Sequence, residues 1–303
     1  MTAHEDVTAP ARAPFGDRLA RAMAEVGPLC VGIDPHPDLL VQWGLTPDVA
    51  GLRAFSLGVV EALGGRVAAF KPQSAFFERF GSAGVGVLEE TVRACREVST
   101  LCIVDAKRGD IGSTMAGYAD AYLGEGSPLA GDAVTLSPYL GVGSLAPALD
   151  LARAGGRGVF VLCLTSNPEG ARLQHARADG DGAVAALVAS EVGAQNRECD
   201  FAHMGPFGLV VGATVGSAVD DLGLDLEAVD GPILAPGFGA QGAGSAQVEQ
   251  VFHGVGDRVL ASSSRQILRA GPTPQGLRSA CSQTLGDLEA VLGGGHHIRN
   301  RRS

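Results

Sequence analysis

The sequence predicts an α/β protein folded as a single-domain (β/α)8 TIM barrel, and three observations carry that prediction. Eight short runs of apolar and β-branched residues recur along the 303 residues, at 29–33, 67–70, 101–104, 133–136, 159–164, 208–211, 233–234 and 259–261. Between them lie longer Ala/Leu/Glu/Arg-rich stretches with helical spacing, among them 52–63, 85–98, 144–154, 183–198 and 246–252. The strand runs are apolar throughout rather than alternating, as strands covered by helices on a parallel sheet require. A doubly wound sheet is the competing arrangement, but eight βα units in one chain suit a closed barrel better.

The elements follow in order. A helical stretch at 15–26 precedes the first strand and is placed to close the barrel bottom. Polar residues then punctuate each strand end, where barrels of this kind gather their chemistry. Asp34 follows strand one, Lys71 strand two, Asp105 and Lys107 strand three, Ser137 strand four, and Thr165, Ser166 and Asn167 strand five. Gly212 and Thr214 follow strand six, the loop from Pro236 through Gly239 to Gln241 follows strand seven, and Ser262 to Arg265 follow strand eight. The stretch 167–182 is expected to be a lid after strand five. Residues 15–292 form the barrel domain, with flexible segments at 1–14 and 293–303, and no composition shift marks a second domain.

Composition narrows the function. A formal net charge of -10 and a pI near 5.1 argue against nucleic acid as a partner. No apolar run approaches the roughly 18 residues that span a bilayer, and the first residues lack the order of a signal peptide, so no membrane is implied. The six cysteines are scattered with no CxxC pair, which fits reduced thiols in a cytoplasmic protein. His36, His175, His203 and His253 share no metal-site spacing, and the tail with His296, His297 and three arginines reads as a solvated terminus.

Only two lysines occur, Lys71 and Lys107, and all other basic residues are arginines. Lysine offers a compact ammonium able to give up a proton, which arginine does not. Both sit at the carboxyl ends of strand runs, so both point to chemistry. Asp105 and Lys107, two apart on a strand, share the inward face while Ala106 faces outward. Asp110 follows in the next turn, and with Lys71 the set alternates Lys, Asp, Lys, Asp; an ammonium between two carboxylates stays protonated and oriented. The glycine-rich loop at 236–244 and Arg265 combine close backbone N–H groups, a helix start and a guanidinium, the parts of a phosphate site. Gln241 adds an amide donor.

These motifs, Asp105-x-Lys107-x-x-Asp110-Ile111-x-x-Thr114, Asp34 before Pro35, Phe70-Lys71-Pro72-Gln73, Pro236-Gly-x-Gly239-Ala-Gln241 and Arg265, together resemble orotidine 5'-phosphate decarboxylase, in its longer bacterial (type 2) subfamily. The resemblance implies cofactor-free conversion of orotidine 5'-phosphate to UMP and carbon dioxide in de novo pyrimidine biosynthesis. Losing carbon dioxide leaves a C6 carbanion with no adjacent carbonyl to delocalise it, so the enzyme must supply roughly 20 kcal/mol or more. By the resemblance, Lys107 protonates C6, Asp105 sits against the substrate carboxylate, and Lys71 and Asp34 contact ribose hydroxyls. Asp110 and Thr114 reach the neighbouring site across a homodimer with shared active sites, Ser166 reads the pyrimidine edge, and Gly239, Gln241 and Arg265 grip phosphate. Ile111, Leu162 and Pro236 line the pocket for carbon dioxide. No metal is implied. Two other readings remain at this point: a metal-dependent phosphosugar decarboxylase or aldolase on the same barrel, and a non-catalytic barrel that binds a phosphate ligand.

Overall fold

A computed structural model describes residues 12–178, 180, 182–238 and 245–292. The eight apolar runs become parallel strands: β1 Leu29–Ile33, β2 Ala69–Pro72, β3 Leu101–Arg108, β4 Ala133–Leu136, β5 Gly158–Leu164, β6 Phe207–Val211, β7 Ile233–Pro236 and β8 Val259–Ser263. Each pairs with its sequence neighbour, and β1 pairs with β8 through Leu29↔Ala261, Cys30↔Ser262 and Val31↔Ser263. That last pairing closes the sheet into a barrel and removes the open edges a doubly wound sheet would keep.

The longer helices are α1 Phe15–Val26, α2 Val49–Leu63, α3 Gly81–Glu97, α4 Gly112–Leu123, α5 Ala146–Ala154, α6 Val184–Arg197, α7 Ser245–Val251 and α8 Pro274–Leu292. One or more helices follow every strand. Local chemistry starts some of them: Asp48 caps α2, its carboxylate accepting the Gly51 N–H at 2.9 Å. Alternate strand residues point outward, and Val31, Ile33, Val104, Ala106, Val134, Val159, Leu209 and Ile233 pack with the helices in one continuous core. Asn196 of α6 ties that layer to the barrel, donating to the Phe207 and Val229 carbonyls and accepting the Phe207 N–H.

The inward residues form a second cluster, with Cys30, Ala69, Ile103, Ala133, Phe160, Val210, Leu234 and Leu260 meeting Phe15, Leu19 and Met23 of α1. The Phe15 ring stands edge-on to Phe160 with centroids 5.8 Å apart, so α1 plugs the barrel floor as its position predicts. Two glycines make room for these rings. A Cβ at Gly158 would come within 2.2 Å of the Phe15 ring, and one at Gly208 within 2.2 Å of the Pro232 carbonyl and 2.8 Å of the Phe160 ring.

Several strands run further than the apolar runs indicate. β2 extends through Lys71, β3 through Asp105 to Arg108, and β8 through Ser262 and Ser263. The interior turns polar before the hydrogen-bonded ladder ends. The stretch after β5 is also more structured than a bare lid, with a helix at Pro168–Gln174 and a two-stranded antiparallel sheet pairing Arg177–Ala178 with Gly182–Ala183.

Candidate active site

Lys71, Asp105, Lys107 and Thr135 meet at the carboxyl-terminal mouth of the barrel because β2, β3 and β4 are neighbours whose inward positions lie side by side. Asp105 is the hub. Its Oδ2 accepts Lys71 Nζ at 2.6 Å, and its Oδ1 accepts Lys107 Nζ at 2.6 Å and the Thr135 hydroxyl at 2.7 Å. Lys71 and Asp105 are 7% and 4% exposed, whereas the Lys107 side chain is 40% exposed and faces the opening.

The backbone of β3 is bent to achieve this. Its register against β4 shifts between Val104 and Arg108, and Lys107 adopts φ 48°, in the left-handed region that non-glycine residues rarely enter. The Lys107 N–H is caught by the Thr135 hydroxyl at 3.0 Å, and its Nζ also reaches Gln73 Oε1 at 3.4 Å. A regular strand would hold Asp105 and Lys107 parallel; the distortion turns the lysine head back onto the carboxylate. Residues held in such sparsely populated backbone regions cluster at active sites and ligand clamps.

Electrostatics follow from the geometry. Burial works against the charge on Asp105, but the two ammoniums and their hydrogen bonds outweigh it and hold the carboxyl well below its ordinary range. Burial likewise opposes the charge on Lys71, and the Asp105 carboxylate, then Asp34, override it and keep the ammonium above the usual lysine value. Below them burial pushes the Cys30 thiol up to about 12, so it sits in the interior as a neutral group.

The sequence led to the expectation of an ammonium between two carboxylates. Within one chain the arrangement is the inverse, a carboxylate between two ammoniums. Asp110 forms no ion pair with Lys107 among the described residues; its carboxylate accepts the Ile111 N–H at 2.8 Å at the start of α4. Thr114 is exposed on the same helix, and Ile111 is 62% exposed. Pro236 is half-buried where β7 ends, and Leu162 is half-buried against the inner cluster.

Asp34 has its Oδ1 buried with no hydrogen-bond partner among the described residues, an acceptor awaiting a donor. Ser166 is exposed beside Gly212, whose missing Cβ would sit 3.4 Å from the serine Cβ. Arg265 is exposed as the first residue of the helix Arg265–Leu268, with Nη2 3.5 Å from His36 Nε2. Gly239 and Gln241 lie outside the described residues. Thr135 and His36 went unrecognised from sequence. Thr135 was findable, as a lone polar residue two positions after the inward Ala133. His36, with its ring 4.3 Å from that of Phe76, carried no local signal.

The donor set itself has a chemical bearing. Both oxygens of Asp105 are engaged by ammoniums, and the described residues hold no group of three or more His, Cys, Asp or Glu side chains able to share a cation. The model of the orotidine 5'-phosphate decarboxylase / HUMPS family matches residues 27–279. The chain belongs to that family. Among curated relatives, the orotidine 5'-phosphate decarboxylase of Salinispora arenicola is 58% identical over 280 residues, covering 92% of this chain and 99% of the relative. That of Streptomyces coelicolor is 56% identical over 281 residues, covering 92% and 98%. The crystal structure of a Streptomyces avermitilis protein assigned as an orotidine 5'-phosphate decarboxylase superposes with a TM-score of 0.88 at 52% identity, covering 95% of this chain and all of that one. The match to the family model spans the Asp105, Lys107 and Lys71 cluster and the stretch from Pro236 to Arg265.

Proposed function

We propose that the protein converts orotidine 5'-phosphate to UMP and carbon dioxide in de novo pyrimidine biosynthesis, with chemistry centred on Lys107. The observation that carries this reading is the Asp105 carboxylate clamped between two ammoniums at the barrel mouth of a family member. In the reacting step the bond between C6 and the carboxylate breaks and its electron pair stays on C6. Carbon dioxide leaves, and a proton from Lys107 Nζ moves to C6. The Lys107 charge is already fixed in place before the electrons arrive, so little reorganisation is needed as the carbanion develops. Asp105 presents its negative charge to the substrate carboxylate and fixes both lysine heads. The orphaned Oδ1 of Asp34 suits a ribose hydroxyl, and Lys71, tethered to Asp105, aligns the same region.

The substrate phosphate is assigned to Arg265 with Gly239 and Gln241, and the base edge to Ser166. Pro236, Leu162 and Ile111 are assigned to the space that receives carbon dioxide. Activity in a homodimer with shared sites is supported by the exposure of Ile111 and Thr114 beside the half-buried Asp110, and by exposed Tyr139 and Leu140 on the loop after β4. Apolar side chains exposed at the carboxyl-terminal rim suit coverage by a second copy. Residues 15–292 are taken as the catalytic unit, flanked by 1–14 and 293–303. A cytoplasmic location is supported by six unpaired cysteines, five of them buried; among the described residues no helix is long and apolar enough to cross a membrane.

The test is spectrophotometric. Purified protein with EDTA should convert orotidine 5'-phosphate to UMP, and absence of turnover would overturn the reading. A metal-dependent phosphosugar enzyme would instead stop with chelator. Lys107→Arg keeps the charge but should lose turnover at least about a hundredfold, with circular dichroism unchanged; near-normal activity would refute proton donation by Lys107.

A further inference from the structure

A second concentration of positive charge lies at the opposite end of the barrel from the lysines. Arg12, Arg96, Arg157 and Asp132, with Cys102 and Gly131, line a cavity of about 190 Å3. Cys102 is the second residue of β3, Asp132 precedes β4, Arg157 precedes β5 and Arg96 lies in the last turn of α3, so the cavity sits at the amino-terminal face.

The charges around it do not balance. Arg157 is 3% exposed, yet its Nε has no hydrogen-bond partner among the described residues. One of its terminal nitrogens donates to the Gly131 carbonyl, and the other reaches only as far as Glu125 Oε2 at 3.4 Å, a carboxylate that is itself exposed. Arg96 Nη2 makes a long bond of 3.3 Å to the Ala130 carbonyl. Asp132, the one carboxylate among the described residues lining the cavity, is already used: Oδ1 accepts Arg18 and Oδ2 accepts the Cys102 N–H at 3.0 Å. Burial, and then the neighbouring Arg12 charge, draw Arg157 below the ordinary guanidinium value. A buried cation short of counter-charge is costly unless something compensates it.

We propose that this cavity binds one small oxyanion, with inorganic phosphate as its representative, held by Arg12, Arg96 and Arg157. Guanidinium forks match the paired oxygens of such an anion, and Arg157, buried and short of hydrogen-bond partners, lacks the counter-charge that the anion supplies. The volume lies below the roughly 300 Å3 at which pockets begin to enclose drug-sized ligands, so a nucleotide does not fit. An anion here ties the end of α3, the segment before β4 and the chain entering α1 to one point, and stabilises the folded state in proportion to its occupancy.

The mouth is expected to bind phosphate too, so the experiment removes that site first. Inorganic phosphate is titrated calorimetrically into the full chain carrying Arg265→Ala, at constant ionic strength set with chloride. One site should remain. Adding Arg96→Met or Arg12→Met should weaken it about tenfold each, as expected for loss of a charged hydrogen-bonding partner, and the rise in melting temperature with phosphate should shrink in the same order. Arg157 also holds the Gly131 carbonyl, so Arg12, which is exposed, carries the decisive comparison independently of folding. No binding to the Arg265→Ala protein, or equal binding after Arg12→Met and Arg96→Met together, would overturn the proposal. A mouth that takes no phosphate would leave wild type and Arg265→Ala alike and the floor site intact.

Discussion

Replacing Asp105 by asparagine keeps the side-chain volume and removes the carboxylate that pairs with both lysines. The Lys71 side chain is 9% exposed and its ammonium lies 2.6 Å from the carboxylate. Taking away one partner of such a buried pair strands the other charge, at a cost of about 3–5 kcal/mol. The contact to Lys107, whose head reaches solvent, adds little, about 0–1 kcal/mol. For a chain of 303 residues, at about 2.1 cal/mol/K of unfolding entropy per residue, that corresponds to a fall in Tm of about 5–8 °C. The pH dependence is more diagnostic. Asp105 is held below its ordinary range, so its contribution is complete above about pH 4 and lost as pH falls through the folded value. Lys71 is held above its ordinary value, so its contribution is complete below about pH 10 and lost as pH rises through the folded value. In Asp105→Asn the stranded ammonium can shed its proton more readily. The stability deficit should therefore narrow as pH rises from 7 towards 10. Thermal melts followed by circular dichroism at several pH values measure this. A variant within about 1 °C of wild type, or a deficit flat across that range, would refute the reasoning.

Further tests follow from the same geometry. Because Lys107 sits at φ 48°, Lys107→Gly should be more stable than Lys107→Ala by about 1 kcal/mol; in an ordinary strand position alanine would win, and that order in chemical denaturation would show the strain to be absent. Mixing inactive Asp110→Ala and Lys107→Ala proteins should restore part of the activity if sites are completed across a dimer, and no recovery would argue for sites within one chain. Gly208→Ala should cost about 1–3 kcal/mol by overpacking the Phe160 ring and Pro232 carbonyl, and an unchanged midpoint in urea would mean the floor has slack that the contacts do not suggest.

The barrel was legible because its strands are buried on both faces, and β1 and β4 have the bounds their apolar runs indicate. β2, β3 and β8 did not end where hydrophobicity ended. Lys71, Asp105 and Ser262 are strand residues that hydropathy assigns to loops, because the ladder is a backbone property and the inward surface turns polar one layer before it stops. The participants at the mouth were legible from residue type at strand ends. Their mutual arrangement was not: nothing in the spacing of Asp105, Lys107 and Asp110 reveals a left-handed residue that folds Lys107 back onto Asp105. Nor does sequence show that Asp110 faces away within its own chain. The pairing of Arg177–Ala178 with Gly182–Ala183 is one that a glycine-rich, charged stretch does not advertise.

The Phe15 stopper at the barrel floor has a kinetic meaning. With α1 seated against Phe160 and Gly158, the described residues close the barrel floor on the side away from the lysines. On the proposed function, carbon dioxide released at C6 departs past the same rim through which the nucleotide came in. Escape of the first product is thereby coupled to how open that rim is while the second is still bound.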